Sequence, residues 1–168
     1  MNSSRRIGFI STRIAGTDGV SLEAYKWVQV LEKAGHECFF FAGELETPEN
    51  KSFQEDLAYF GHPEILELHE ALFGYTRRSS RRTDQMHRLK DHLKNRLYAF
   101  SDQYDLDLVV PENALAIPMH IPLGMAVTEF LAETGLPCVA HHHDFSWERD
   151  RFIINCVKDY LLYAFPPA

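Results

Sequence analysis

The sequence predicts an α/β domain with a Rossmann-like parallel sheet and helices on both faces. Short apolar runs of strand length alternate with amphipathic helical patterns, which implies a parallel sheet covered by helices. A strand, a glycine loop, a helix, a closing glycine and a second strand follow one another between Ile7 and Ala42. The most polar segments of chemical interest fall just after predicted strands, where ligands bind in such sheets.

Ile7–Ser11 reads as the first buried strand, β-branched and aromatic, bounded by polar residues. Residues 12–19 form a loop with Gly16 and Gly19, and Ser21 follows. Leu22, Tyr25, Val28 (with Trp27), Leu31 and Ala34 then recur at three- and four-residue spacing, and Gly35 closes this helix. Cys38–Ala42 is the second strand, completing a βαβ unit.

Between Leu57 and Phe73, apolar residues mix with Gly61, His62 and Pro63, and the pattern assigns no element. Arg77–Arg82 reads as an exposed, mobile loop. A long helix follows over Thr83–Asp102, with Met86, Leu89, Leu93, Leu97 and Phe100 on one face and basic residues on the other. Leu106–Val110 is a strand ending at Pro111-Glu112-Asn113. Pro122–Glu133 is a helix with Gly135 beyond it. Pro137–His141 is a strand that runs into His141-His142-His143-Asp144. Asp150–Tyr163 reads as a last helix before Phe165-Pro166-Pro167-Ala168, an ending that reads as a truncation.

The chain has 168 residues, a length that sets the expectation of one domain spanning 1–168. Its formal charge of −7 argues against nucleic-acid binding, which needs local positive charge. Cys38, Cys138 and Cys156 are odd in number and lack CxxC spacing, so neither a disulfide framework nor a zinc ribbon is indicated. No signal or transmembrane pattern is evident, and the expected location is cytoplasmic.

Gly16 and Gly19 let backbone approach an anion, and Asp18, Gly19 or Ser21 opens the following helix, whose free N–H groups favour phosphate. A plain tight turn with an N-cap fits the same residues. Strand alternation sends His141 and His143 to one side and His142 to the other. Imidazoles there suit a polar-substrate pocket, acid–base work or simple capping; a metal would need a third ligand such as Glu112 or Asp144. Trp147 and Arg149 read either as a solvated helix start or as binding groups. The basic set Arg77, Arg78, Arg81, Arg82, Arg88, Lys90, Lys94 and Arg96 reads as a solvated face, or as a contact for an anionic acceptor, a membrane surface or nucleic acid.

Arg6-Ile7-Gly8-Phe9-Ile10, Gly16-Thr17-Asp18-Gly19-Val20-Ser21, Asp107–Asn113 and Pro137–Phe145 carry a resemblance to the N-terminal domain of GT-B glycosyltransferases of the GT4 (group 1) type. The resemblance implies that the Gly16–Gly19 loop lies beside a donor diphosphate or acceptor phosphate, with Asp18 where many members have glycine. It implies that His143 sits at the reacting centre with Asp144 and His141 nearby, and that Glu112 and Asn113 lie on the acceptor side. It further implies sugar transfer from a nucleoside-diphosphate sugar to a sugar, lipid or small-molecule acceptor, with retention and without a required metal or other cofactor. The donor would be bound by a C-terminal domain outside these residues, so the chain alone would be inactive. Two other classes fit the residues: a non-catalytic sugar- or phosphate-binding module, and a metal-dependent hydrolase using His141, His143 and Glu112.

Overall fold

In a computed structural model of the chain, residues 4–167 are described. Ala168, the last residue of the proline-rich end, lies outside them. The strands are β1 (Arg6–Ile10), β2 (Arg13–Ile14), β3 (Glu37–Ala42), β4 (Glu44–Leu45), β5 (Ser52–Gln54) and β6 (Leu108–Pro111). The helices are α1 (Gly19–Lys33), α2 (Pro63–Leu72), α3 (Ser80–Tyr104), α4 (Ile121–Thr134) and α5 (Lys158–Ala164). β5, β3, β1 and β6 form a parallel four-stranded sheet in that order, and β2 pairs with β4 beside it.

The period-2 alternation of the strands divides the core between two faces. Ile7 and Phe9 of β1, with Cys38 and Phe40 of β3, pack against Ala24 and Val28 of α1. Ile10, Phe39, Phe41 and Val109 point the other way, onto Leu93, Leu97 and Phe100 of α3 and Val127 and Phe130 of α4. The fold is thus the expected Rossmann-like sheet with helices on both faces. α2 and α5 extend the second layer. Ile65, Leu68 and Leu72 meet Met86, Met125 and Phe165 there. Gly124 makes that approach workable: a Cβ on it would lie 2.2 Å from the Phe165 ring.

Several boundaries differ from expectation. α1 buries Ser21, Ala24 and Val28, while Leu22 is exposed, because small side chains let the helix sit close to the sheet. α2 is ordinary in hindsight: His62 caps it, Pro63 opens it, and Ile65, Leu68 and Leu72 share its buried stripe. α3 begins at Ser80 with Ser79 as N-cap, so half of the supposed mobile loop is helix. Arg78 donates to both carboxylate oxygens of Asp159, and Arg82 pairs with Glu67.

The expected strand Pro137–His141 lies beside β6 but makes only two isolated bridges, Val109–Cys138 and Glu112–His141. The reason is Pro111. Val109 N donates to Pro137 O at 3.0 Å, and Asn113 N to His141 O at 2.8 Å. Residue 111 would make the intervening bond, but proline has no N–H. The expected helix over Asp150–Tyr163 is broken as well. A 3-10 turn covers Asp150–Phe152, and α5 starts only at Lys158. Between them Asn155 Nδ2 donates to Phe152 O, and Asn155 Oδ1 accepts from Val157 N, a local alternative to helix. Phe73 also bridges to Asn155 across the end of α2. Trp147–Arg151 accordingly lies in short 3-10 turns and not in the expected helix start.

The basic face of α3 is largely neutralised by neighbours. Lys90 and Lys94 bind Glu129 of α4, Arg88 binds Glu64, and Arg96 binds Glu55. No helix among the described residues is long and apolar enough to cross a membrane.

Candidate active site

Sheet order places β1 beside β6, where the chain changes its direction of winding. The crevice beyond their carboxyl ends is the usual ligand site of such folds. Ser11 closes its floor: its buried hydroxyl donates to Glu112 O at 3.0 Å, joining the two strand ends. A cavity of about 190 Å³ opens there, walled by Arg13, Asp18, Glu112, Asn113, His120 and Arg151 among others.

Glu112 is the first residue after β6, and its side chain is fully buried. One carboxylate oxygen lies 2.9 Å from His141 Nδ1 and the other 2.5 Å from His143 Nε2. A carboxylate only accepts, so each imidazole donates to it. That fixes both tautomers and leaves His143 Nδ1 and His141 Nε2 as accepting nitrogens. Burying a carboxylate is costly unless its oxygens are engaged, and two charge-assisted bonds supply that engagement. The strand-end alternation is as expected: His142 turns away, packs on Phe145, and is held below its usual pKa by burial first and by His141 second.

Other groups lock this arrangement. Asn113 takes a left-handed conformation (φ 55°), and its Oδ1 accepts from His143 N at 3.2 Å. Trp27 of α1 lies against the His141 ring, with centroids 4.8 Å apart. Asp144 is not brought to the Glu112 cluster. It pairs with Arg149 instead.

The glycine loop sits at the same edge, but its donors are largely occupied. Asp18 is the N-cap of α1: Oδ1 accepts from Val20 N and Ser21 N, and Oδ2 from Ser21 Oγ at 2.8 Å and Arg13 at 2.9 Å. Burial opposes ionisation of Asp18, yet the bonds from Ser21 and Arg13 outweigh it and hold its carboxyl below the ordinary value. Gly16 has φ 71°, and its N–H donates to Glu46. A Cβ on either Gly16 or Gly19 would meet nothing within 4 Å, so the surface above both is open. The helix start thus carries its own anion, and a phosphate placed there would face Asp18.

Glu112, His141 and His143 could hold a metal ion. Their ligand atoms all lie within 4.8 Å of one another. A tetrahedral zinc with bonds of about 2.0–2.1 Å needs tighter convergence than that upper separation. Each imidazole here takes a different oxygen of the same carboxylate, so binding an ion would require both rings to swing inward.

Sequence reasoning missed Ser11, Arg13, His120 and Arg151. His120 was visible as a polar residue just before Ile121-Pro122. It caps α4 through Nδ1, which accepts from Leu123 N, and its Nε2 bonds to Leu57 O at 2.7 Å. Arg151 had no signal, because the expected helix put it on a solvated face.

The chain is similar to mannosylglucosylglycerate synthases. That of Petrotoga mobilis is 28% identical over 165 residues, covering 92% of this chain and 35% of the relative. That of Thermotoga maritima is 33% identical over 153 residues, covering 88% and 34%. The chain spans about a third of the length of these curated relatives, and it is homologous to that part of glycosyltransferases. No family model matches it, and no solved structure matches it significantly.

Proposed function

We propose that this chain is the acceptor-side domain of a GT-B, group 1 glycosyltransferase that moves a hexosyl unit from a nucleoside-diphosphate sugar to an acceptor hydroxyl, with retention. In this reading the donor nucleotide is bound outside residues 1–168, these residues alone do not turn over, no metal is required, and the protein works in the cytoplasm. The observation that carries it is Glu112, which lines the cavity at the β1/β6 crevice and takes a hydrogen bond from His143, itself outside the cavity lining. The similarity to two mannosylglucosylglycerate synthases supports it.

His143 Nε2–H is held by Glu112, so Nδ1 is free to accept the proton of an acceptor hydroxyl. For retention, the hydroxyl oxygen must meet the anomeric carbon on the face from which the diphosphate departs: the bond to the diphosphate oxygen breaks, the nucleoside diphosphate leaves, and the new bond forms on that same face. Glu112 stabilises the imidazolium that forms, and Asn113 fixes the His143 backbone. The relatives' name joins mannosyl, glucosyl and glycerate units, and a glucosylglycerate acceptor gives that product by one mannosyl transfer. Incubating the protein, with any coding sequence downstream of Ala168 included, with UDP- and GDP-sugars and glucosylglycerate tests the reading. Transfer from one donor supports it; no transfer from any donor by folded protein overturns it.

A second reading, a metal-dependent hydrolase, is favoured by the convergence of Glu112, His141 and His143. Elemental analysis of tag-free protein separates the two: stoichiometric metal favours the hydrolase.

A further inference from the structure

We propose that Trp27 is a positioning residue for His143, acting through the His141 ring. The proposal deepens the glycosyl-transfer reading and rests on it for the reaction that His143 serves.

The main chain holds His143 loosely. Among the described residues, the last backbone hydrogen bond between its segment and the end of β6 is Asn113 N to His141 O at 2.8 Å. Before that point the segment makes two isolated bridges with its neighbours in place of a continuous ladder. At His143 itself the tie is a side chain, Asn113 Oδ1, which accepts from His143 N at 3.2 Å. The direction of the His143 ring therefore depends on what the ring touches. Its Nε2–H is held by Glu112, and it lies against the His141 ring with centroids 4.8 Å apart. His141 holds the other oxygen of the same carboxylate at 2.9 Å. A turn of His141 would release one half of Glu112 and remove the ring beside His143.

His141 in turn meets Trp27, with centroids 4.8 Å apart and planes 31° apart. Among the described residues Trp27 and His143 make no ring contact, so the influence passes through His141. Trp27 is mounted on the firmer element. It belongs to α1, beside Val28 and one turn after Ala24, both buried against the sheet. Filling the core does not call for an indole at this place. Trp27 is half-buried and shares a shallow open surface with Glu23, Lys26, Val30 and Leu31. Its flat face on His141 ties an irregular sheet edge to a packed helix. Such support matters for rate, because a displacement of about 1 Å at a reacting group can cost on the order of 10²-fold.

The test is a double-mutant cycle in the protein with any coding sequence downstream of Ala168 included. Trp27→Ala should lower kcat for sugar transfer about tenfold while KM for either substrate stays unchanged. Trp27→Phe, which keeps a flat ring, should recover most of that rate. Trp27→Leu, which keeps apolar volume alone, should not. Replacing Trp27 in a His141→Ala background should cost nothing further. Losses that multiply in the double variant overturn the proposal, as does a Trp27→Leu variant as active as Trp27→Phe. The Phe–Leu comparison decides the matter even if Trp27→Ala does not fold. A readout independent of turnover is the His143 Nε2–H proton, followed by NMR in protein labelled with 15N-histidine. Its exchange with solvent should quicken in Trp27→Leu and not in Trp27→Phe; equal exchange in the two overturns the proposal. A Trp27-dependent proton in a protein that transfers no sugar from any nucleotide donor would uphold the positioning and sink the glycosyl-transfer reading alone.

Discussion

The buried carboxylate of Glu112 accepts a hydrogen bond from His143 Nε2 at 2.5 Å across the carboxyl edge of the sheet. Glu112→Gln keeps the volume but loses the charge, and its amide can accept from only one of the two histidines. Its NH₂ group then faces a ring that already presents N–H. We expect sugar transfer to fall on the order of 10²-fold, and stability to fall by about 1–3 kcal/mol. Steady-state kinetics and urea unfolding measure the two effects. A variant with wild-type turnover would remove Glu112 from the mechanism.

His120 predicts an acid-side loss of stability. Burial first of all pushes its pKa down to about 4 from 6.5. The folded state thus holds it neutral, while the unfolded chain takes up a proton earlier as pH falls. Its contribution is complete above about pH 6.5, declines between 6.5 and 4, and is gone below that. The shift corresponds to about 3 kcal/mol. His120→Asn keeps a side chain able to cap α4 and removes the titration. Its unfolding free energy should vary less over this pH range than that of wild type. His69 and His142, also held low chiefly by burial, act the same way in both proteins and cancel in the comparison. An identical slope in the two proteins would contradict the assignment.

Gly124→Ala forces a methyl group against the Phe165 ring, 2.2 Å from its nearest carbon. Overpacking of this kind costs about 1–3 kcal/mol. Thermal unfolding should show the loss, and Phe165→Leu in the same chain should recover part of it. No change in melting temperature would mean that Phe165 does not press on α4.

Chelation should leave the protein unchanged. Because Glu112 gives a different oxygen to each histidine, the cluster is satisfied by hydrogen bonds alone. Dialysis of tag-free protein against EDTA is expected to alter neither melting temperature nor transfer rate. A drop of several degrees on dialysis, restored by zinc, would favour the hydrolase reading.

Much of the fold was legible because hydrophobic period and element length agree in it. β1, β3 and β6 are short apolar runs, and α3 shows its Met86–Phe100 stripe plainly. α2 carried the same signals at His62-Pro63 but was hidden by its shortness and by the glycine before it. Two elements were misread because one residue acted through the backbone. Pro111 lacks the N–H that the edge strand needed, and Asn155 diverted the helix that Asp150–Tyr163 promised. At the site, His141, His143 and Glu112 could be named from position and residue type, but their meeting on one carboxylate is a tertiary fact. Arg151 was out of reach, since its place depends on that broken helix.

The most direct measurement is kcat for sugar transfer, in the protein with any coding sequence downstream of Ala168 included, by His143→Ala beside the control His36→Ala. His36 lies just before the amino end of β3, at the opposite edge of the sheet from the crevice. A loss of 10²-fold or more in the first, with an unchanged melting temperature and wild-type turnover in the second, is the predicted result. His143→Ala turning over at the wild-type rate would contradict the account.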